Sequence, residues 1–243
     1  MWDWSYALHI PGQLVGAIGT TFEAAGGGIV VALVLGLVLA IIRYLHIPVL
    51  SLVLTVLSEF IRMTPLILQL YFFFYVLPNY HILFSPLVTG IIGIGVYFSA
   101  YTAEVYRGAL TAVPVAQWEA ARALGLGPVR TWVSVILPQA VRLVIPPLGN
   151  YVLVLFKETA ILSTIGVVEV LQAAKNIGSL TYQYMEPITI AGLFYLIVSY
   201  CGARLIRYLE TRLQLQSNAG RPRGLRLARI ADIPMPATAD QEG

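Results

Sequence analysis

The sequence predicts an all-α integral membrane protein with five spans, and two observations carry that prediction. Of its 243 residues, 58% are hydrophobic and only 11% charged, which is more apolar surface than one globular core can hide. The apolar residues fall in long runs between short polar connections, as helices of about 20 residues would that satisfy their own backbone groups inside hydrocarbon. The two-residue alternation of a transmembrane β-barrel is absent.

The first run covers residues 19–42. Ahead of it the chain has Asp3 but no lysine or arginine in its first ten residues, so a cleavable leader is not expected and the first helix should stay in the mature chain. Trp2, Trp4 and Tyr6 suit a membrane interface. Gly28, Ala32, Gly36 and Ala40 recur every fourth residue, which puts small side chains on one face and lets a neighbouring helix approach closely. That seam is expected to be used within the chain.

The remaining runs cover 60–77, 87–105, 148–168 and 188–209. Residues 49–57 extend the second run beyond one membrane thickness and are read as an interfacial helix. Cys201, the one cysteine, falls in the last run and reads as a small packing residue. Residues 1–215 therefore form the transmembrane domain, and 216–243, which lack apolar periodicity, a disordered tail.

Basic residues give the orientation, because positive loops are retained in the cytoplasm. Arg43 follows the first run; Arg107, Arg122, Arg130 and Arg142 lie in the 107–142 connection; Arg204, Arg207, Arg212 and further arginines follow or flank the last run. The connection 78–86 has no lysine or arginine, and 166–187 has only Lys175. The N-terminus is thus expected outside and the C-terminus in the cytoplasm.

Within the 107–142 connection a short helix is expected. Pro114 suits a first turn, residues 117–124 are good helix formers, and Gly125 is a stop signal. A helix of about ten residues is too short to persist alone in water. Val115, Trp118 and Leu124 offer it an apolar side, and Ala120, Ala121 and Ala123 keep it narrow enough to enter a cleft.

Several chemistries are excluded. No G-x-x-x-x-G-K-[ST] occurs and the only lysines are Lys157 and Lys175, so ATP hydrolysis through a P-loop is not expected here, nor any cofactor in this chain. His9, His46 and His81 sit near different run ends without metal-ligand spacing. No G-x-S-x-G elbow supports a Ser/His/Asp hydrolase. The chain is read as a non-enzyme.

Glu119-Ala120-Ala121-Arg122-Ala123-Leu124-Gly125, followed after nine residues by Val135-Ile136-Leu137-Pro138, resembles the EAA loop of ABC importer permeases, EAA-x3-G-x9-I-x-LP. Val135 replaces the isoleucine. Glu59-Phe60-Ile61-Arg62-Met63-Thr64-Pro65-Leu66-Ile67-Leu68-Gln69-Leu70 is similar to the RGTPLLVQL segment of the polar amino acid (histidine/glutamine) subfamily. Residues 101–108 and 157–162 look like two further stretches of it. Met63 stands where that family usually has glycine, and Ala160 where it often has serine.

The resemblance implies a five-helix type I importer transmembrane domain in a bacterial inner membrane. It implies coupling to an ATPase through Glu119, Ala120, Ala121, Gly125, Leu137 and Pro138. Implied partners are a cytosolic ATPase dimer that binds the ATP, a second permease, identical or homologous, and a periplasmic or lipid-anchored solute-binding protein; beyond these only lipid is expected, and no nucleic acid. The implied cargo is a polar amino acid or a zwitterionic relative such as the compatible solute ectoine. The rival reading is a secondary transporter or channel in which the loop is an ordinary link.

Charged groups in apolar runs are costly and are expected to face protein or water. Glu23, Arg62, Glu104, Lys157 and Glu158 are such groups. Lys157-Glu158 follow Pro146-Pro147, where a broken helix is expected to open backbone groups to a cavity. With Arg62, Thr64, Pro65, Gln69 and Thr159 they form the expected substrate path or gate, Glu158 meeting an ammonium group and Lys157 making an inter-helix contact.

Overall fold

The computed structural model describes residues 2–45 and 47–218, the side chains of 213–218 excepted. The expected tail from 219 onward lies outside the described residues. Every regular element among the described residues is helical. Four helices are long and apolar enough to cross a membrane, or five if one bent pair is a single span.

After a one-turn helix α1 (Trp4–Ala7), α2 runs over Ile10–Tyr44. Its 35 residues make it about 52 Å long at 1.5 Å per residue, well beyond hydrocarbon thickness. The stretch before residue 19 is less apolar because Gly12, Gln13 and Gly16 dilute it, but it contains nothing that breaks a helix after Pro11. Ile10, Leu14, Ala17, Thr21, Ala24, Gly28, Ala32, Gly36 and Ala40 are buried on one face.

Helices α3 (Pro48–Met63) and α4 (Leu66–Tyr71, extended by tighter and wider turns to Tyr80) meet at a 107° bend. The expected span 60–77 is thus not one straight helix. Pro65 lacks an amide proton and pushes the residue before it out of helical conformation, and Thr64 is extended at φ −101°, ψ 141°. Gln69 Nε2 closes the corner by donating to the Ile61 carbonyl at 2.8 Å and to Thr64 Oγ1 at 2.7 Å.

Helix α5 (Pro86–Thr111) opens on Ser85, whose hydroxyl accepts from the Val88 amide, and packs along α2. The small-residue seam is used there. A Cβ on Gly36 would sit 1.9 Å from Thr102 Oγ1, which donates to the Ala32 carbonyl at 2.7 Å. Then come α6 (Val115–Ala123) and α7 (Pro128–Thr131), and after a π-helical turn at Trp132–Ile136, α8 (Leu137–Glu158).

Two expectations fail at α8. Its helical path begins far before residue 148, and it continues through Pro146 and Pro147 rather than breaking there. Each proline removes one amide donor, while the other rungs of the helix remain. The backbone tightens only later, into the 3₁₀ turn Thr159–Ile165, which ends at Gly166 with φ +83°. The connection 166–187 is no simple loop either: it holds α9 (Val170–Thr181), after which α10 runs over Met185–Asn218.

A core of Leu70, Ile94, Phe98, Leu155, Phe156 and Leu162 joins α2, α4, α5 and α8. At the α1 end, Ile10, Leu14 and Ala17 pack on Val170, Ala173, Ala174 and Ala191. At the other end Val113, Ile136 and Ala140 lie beneath α6. Cys201 is exposed rather than packed, because it lies on an outward face of α10.

Candidate functional site

Helix α6 is held by one side and bare on the other. Ala121 is 2% exposed, and the Trp118 ring sits edge-on to Trp132 with centroids 5.2 Å apart. Gln139 Nε2 donates to Gln117 Oε1 at 3.2 Å. Glu119, Ala120, Arg122 and Ala123 are exposed, and so are Val115 at 67% and Leu124 at 78%. Of the three residues read as its apolar side, only Trp118 is turned inward. Among the described residues Glu119 makes no ion pair, with Arg122 or any other group.

The helix stops at Gly125. Its φ is +68°, the left-handed region that glycine enters without penalty. The Gly125 amide donates to the Arg122 carbonyl at 2.9 Å and the Leu126 amide to Ala121 at 3.0 Å, the paired bonds of a Schellman cap. Leu126, Trp118, Arg122, Pro128 and Trp132 then line an open groove of about 600 Å³. Leu137 and Pro138 are exposed at the start of α8. The structure therefore offers a short, rigid, narrow helix with one free charged and apolar face beside a groove.

The second cluster lies along α3, α5 and α8. Arg62, at the last turn of α3, donates from Nη2 to Glu59, and its buried Nε has no partner among the described residues. The Arg62 carbonyl accepts from the Tyr101 hydroxyl at 3.3 Å, and Tyr101 in turn bonds Tyr97 at 3.1 Å. Glu158, at the end of α8, is half-buried. Thr159 is fully buried, its hydroxyl donating to the Phe156 carbonyl at 2.7 Å. The structure thus ties Arg62, through its backbone carbonyl, to Tyr101 and Tyr97, while no hydrogen bond joins either tyrosine to Glu158 among the described residues. Thr64, Pro65 and Gln69 serve the α3–α4 corner instead.

Lys157 departs from its reading. It is exposed and makes no ion pair among the described residues, and on a helix it points about 100° from Glu158. Glu23 is exposed as well. Glu104 faces protein: its carboxylate accepts from Arg43 at 2.5 Å and from Arg107 at 2.7 Å, tying α2 to α5. No group of His, Cys, Asp and Glu among the described residues could hold a metal ion.

Glu169 is the polar residue that sequence reasoning missed. It is fully buried, accepts the Leu171 and Gln172 amides at 2.7 Å as the cap of α9, and accepts the Tyr195 hydroxyl at 2.7 Å. Burial pushes its carboxyl above the ordinary carboxylate range, opposed by those three bonds and by Lys175. A signal existed in the acid directly ahead of Val170-Leu171-Gln172, a helix-start pattern.

Residues 32–215 match the family model described as the binding-protein-dependent transport system inner membrane component. The chain is 44% identical over 209 residues to the "Probable amino-acid ABC transporter permease protein y4tG" of Sinorhizobium fredii, covering 86% of this chain and 90% of that one. It is 33% identical over 210 residues to the "Probable glutamine ABC transporter permease protein GlnM" of Bacillus subtilis, covering 86% and 95%. Among solved structures, an amino acid ABC transporter with histidines superposes with TM-score 0.83 at 30% identity, covering 87% of this chain and 99% of that one.

Proposed function

The chain belongs to the family of binding-protein-dependent transport system inner membrane components, and from that premise we propose how it works as the permease subunit of an amino-acid ABC importer. The α6 end faces the cytoplasm, where α6 seats in a cleft of an ATPase subunit that binds and hydrolyses the ATP. The α1 and α9 end faces outward toward a solute-binding protein. A second permease, identical or homologous, completes the transmembrane pore. The arginines that gather at the α6 end and beyond α10 support this orientation.

One observation carries the coupling role. A nine-residue helix is pinned through Ala121 and Trp118 and ended by a glycine at φ +68°, while Glu119, Val115 and Leu124 are exposed among the described residues. Exposed leucine and valine beside an unpaired carboxylate suit an intermittent protein partner with a basic residue in its groove.

The cargo is a polar amino acid or a zwitterionic compatible solute, of which ectoine is one candidate. Glu158 meets its ammonium group, and Arg62, with a buried Nε free of partners, meets its carboxylate. Tyr101 bonds the Arg62 carbonyl and Tyr97, which ties the last turn of α3 to α5 beside that arginine. Glu158 and Arg62 as a pair recognise the charge pattern common to zwitterions, while the choice among them rests with the binding protein.

The test is uptake by the complete importer in vesicles. Glu158→Gln keeps size and removes charge, so it should abolish uptake of the zwitterion while the complex assembles normally; unchanged uptake refutes the substrate-path role. Glu119→Lys should release the ATPase subunit from the permease, and full retention refutes the docking role.

A further inference from the structure

We infer that Tyr44 and Trp132 are positioning residues that make the long first helix α2 move with the coupling helix α6. The inference rests on the reading of α6 as the ATPase-docking element. Trp118 of α6 packs edge-on against Trp132 at 5.2 Å and 82°. The Trp132 ring also meets Tyr44, at the last turn of α2, at 5.4 Å and 90°. Three rings thus run without a gap from the docking helix, through the turn that leads into α8, to the end of α2.

The linkage closes on itself. Next to Tyr44, Arg43 reaches across to Glu104 at 2.5 Å, its side chain only 10% exposed. Glu104 belongs to α5, and α5 leads through Thr111 directly into α6. So α6 is joined to the end of α2 by two routes, one aromatic and one ionic. A helix joined at two points to a rigid partner cannot shift without carrying that partner along.

Trp132 is the informative member because its ring meets both Trp118 of α6 and Tyr44 of α2. An apolar groove of about 670 Å³ separates α2 from α8, with Leu37, Ile41, Leu137 and Val141 on its walls and Tyr44 and Trp132 at its rim. Where side chains do not interdigitate, displacement is not resisted by close packing, and the edge-to-face ring pair is the contact that transmits it. Edge-to-face geometry also fixes the relative angle of two rings, as non-directional packing does not.

The test uses the complete importer, permease with ATPase and binding protein, in vesicles. Tyr44→Ala should keep the ATPase subunit bound in a pull-down yet lose binding-protein-stimulated ATP hydrolysis by about 5-fold or more, the lower end of ordinary inter-site coupling. Tyr44→Phe keeps the ring and should retain more of the stimulation than Tyr44→Ala. Trp132→Ala breaks the Trp118 contact as well and should lose at least as much as Tyr44→Ala, and the double variant should lose no more than Trp132→Ala alone, since the Tyr44–Trp132 contact is already broken there. Should Trp132→Ala fail to assemble, Tyr44→Ala and Tyr44→Phe, altered at a residue 39% exposed, carry the test alone. Full stimulation in Tyr44→Ala, or losses that add in the double variant, overturns the linkage. If Glu119→Lys releases the ATPase while Tyr44→Ala keeps full stimulation, the linkage alone has failed; if Glu119→Lys retains both ATPase and stimulation, the docking reading has failed and the linkage with it.

Discussion

Replacing Gly125 by alanine isolates the end of α6 from everything else in the molecule. Nothing lies within 4 Å of where a Cβ would stand, so no clash is introduced and only the backbone conformation matters. Holding an L-residue at φ +68° costs roughly 1–2 kcal/mol. That corresponds to about a 5- to 30-fold fall in the population of the capped end, the remainder fraying or running on past Leu124 and misdirecting the exposed face. In vesicles holding the complete importer, Gly125→Ala should weaken retention of the ATPase subunit by about that factor and lower stimulated hydrolysis in parallel. Gly125→Asn is the control, because asparagine tolerates the left-handed region, and it should lie near the unchanged protein. If alanine and asparagine perform alike, the left-handed cap is not what presents α6 to its partner.

Gly36→Ala places a methyl group 1.9 Å from Thr102 Oγ1 and 2.9 Å from the Ser99 carbonyl; a backbone neighbour cannot swing aside, so the α2–α5 contact should open at a cost of about 1–3 kcal/mol, read as a lower melting temperature of the purified protein. Glu104→Gln weakens two charge-assisted bonds at the same helix pair and should cost on the order of 1–3 kcal/mol by the same measurement, an unchanged melting temperature counting against a bridge that stabilises. Glu169 has a raised carboxyl value, so the stability it contributes is present below the unfolded value of about 4.3 and is lost as pH rises through its folded value. The unchanged protein should melt at progressively lower temperature as pH climbs through that window, and Glu169→Gln should flatten the slope; equal slopes would mean that the carboxyl does not titrate there.

What was legible in the sequence was local. The helical class, the small-residue face of α2 and the Gly125 stop each depend on residues a few positions apart, and each appears in the structure where those residues lie. Breaks were harder to place. Apolarity over 60–77 measures how well a segment suits hydrocarbon, and it is blind to the loss of one amide at Pro65, which turns the chain by 107°. The double proline misled in the opposite direction: Pro146 and Pro147 remove donors yet leave α8 continuous, because the ladder on either side holds the helical path.

A charged residue within an apolar run announces that it is costly but not how the cost is met, and that is why the polar groups of this chain divide so differently from their reading. Glu104 answers its burial with two arginines, one of them on another helix; Lys157 finds no carboxylate within the described residues; Glu169 answers with backbone amides and a tyrosine from α10. These solutions depend on which helix arrives alongside, a fact the tertiary arrangement decides. It follows that the groups left unanswered within the chain are the informative ones. A buried Arg62 Nε without a partner among the described residues carries a desolvation penalty that none of them relieves, and a zwitterion's carboxylate would relieve it. Glu119 and Lys157 lie at surfaces that a second protein can cover. If so, converting Arg62 to methionine should stabilise the isolated permease or leave it unchanged while removing uptake, whereas an arginine serving only the fold would lower the melting temperature when replaced.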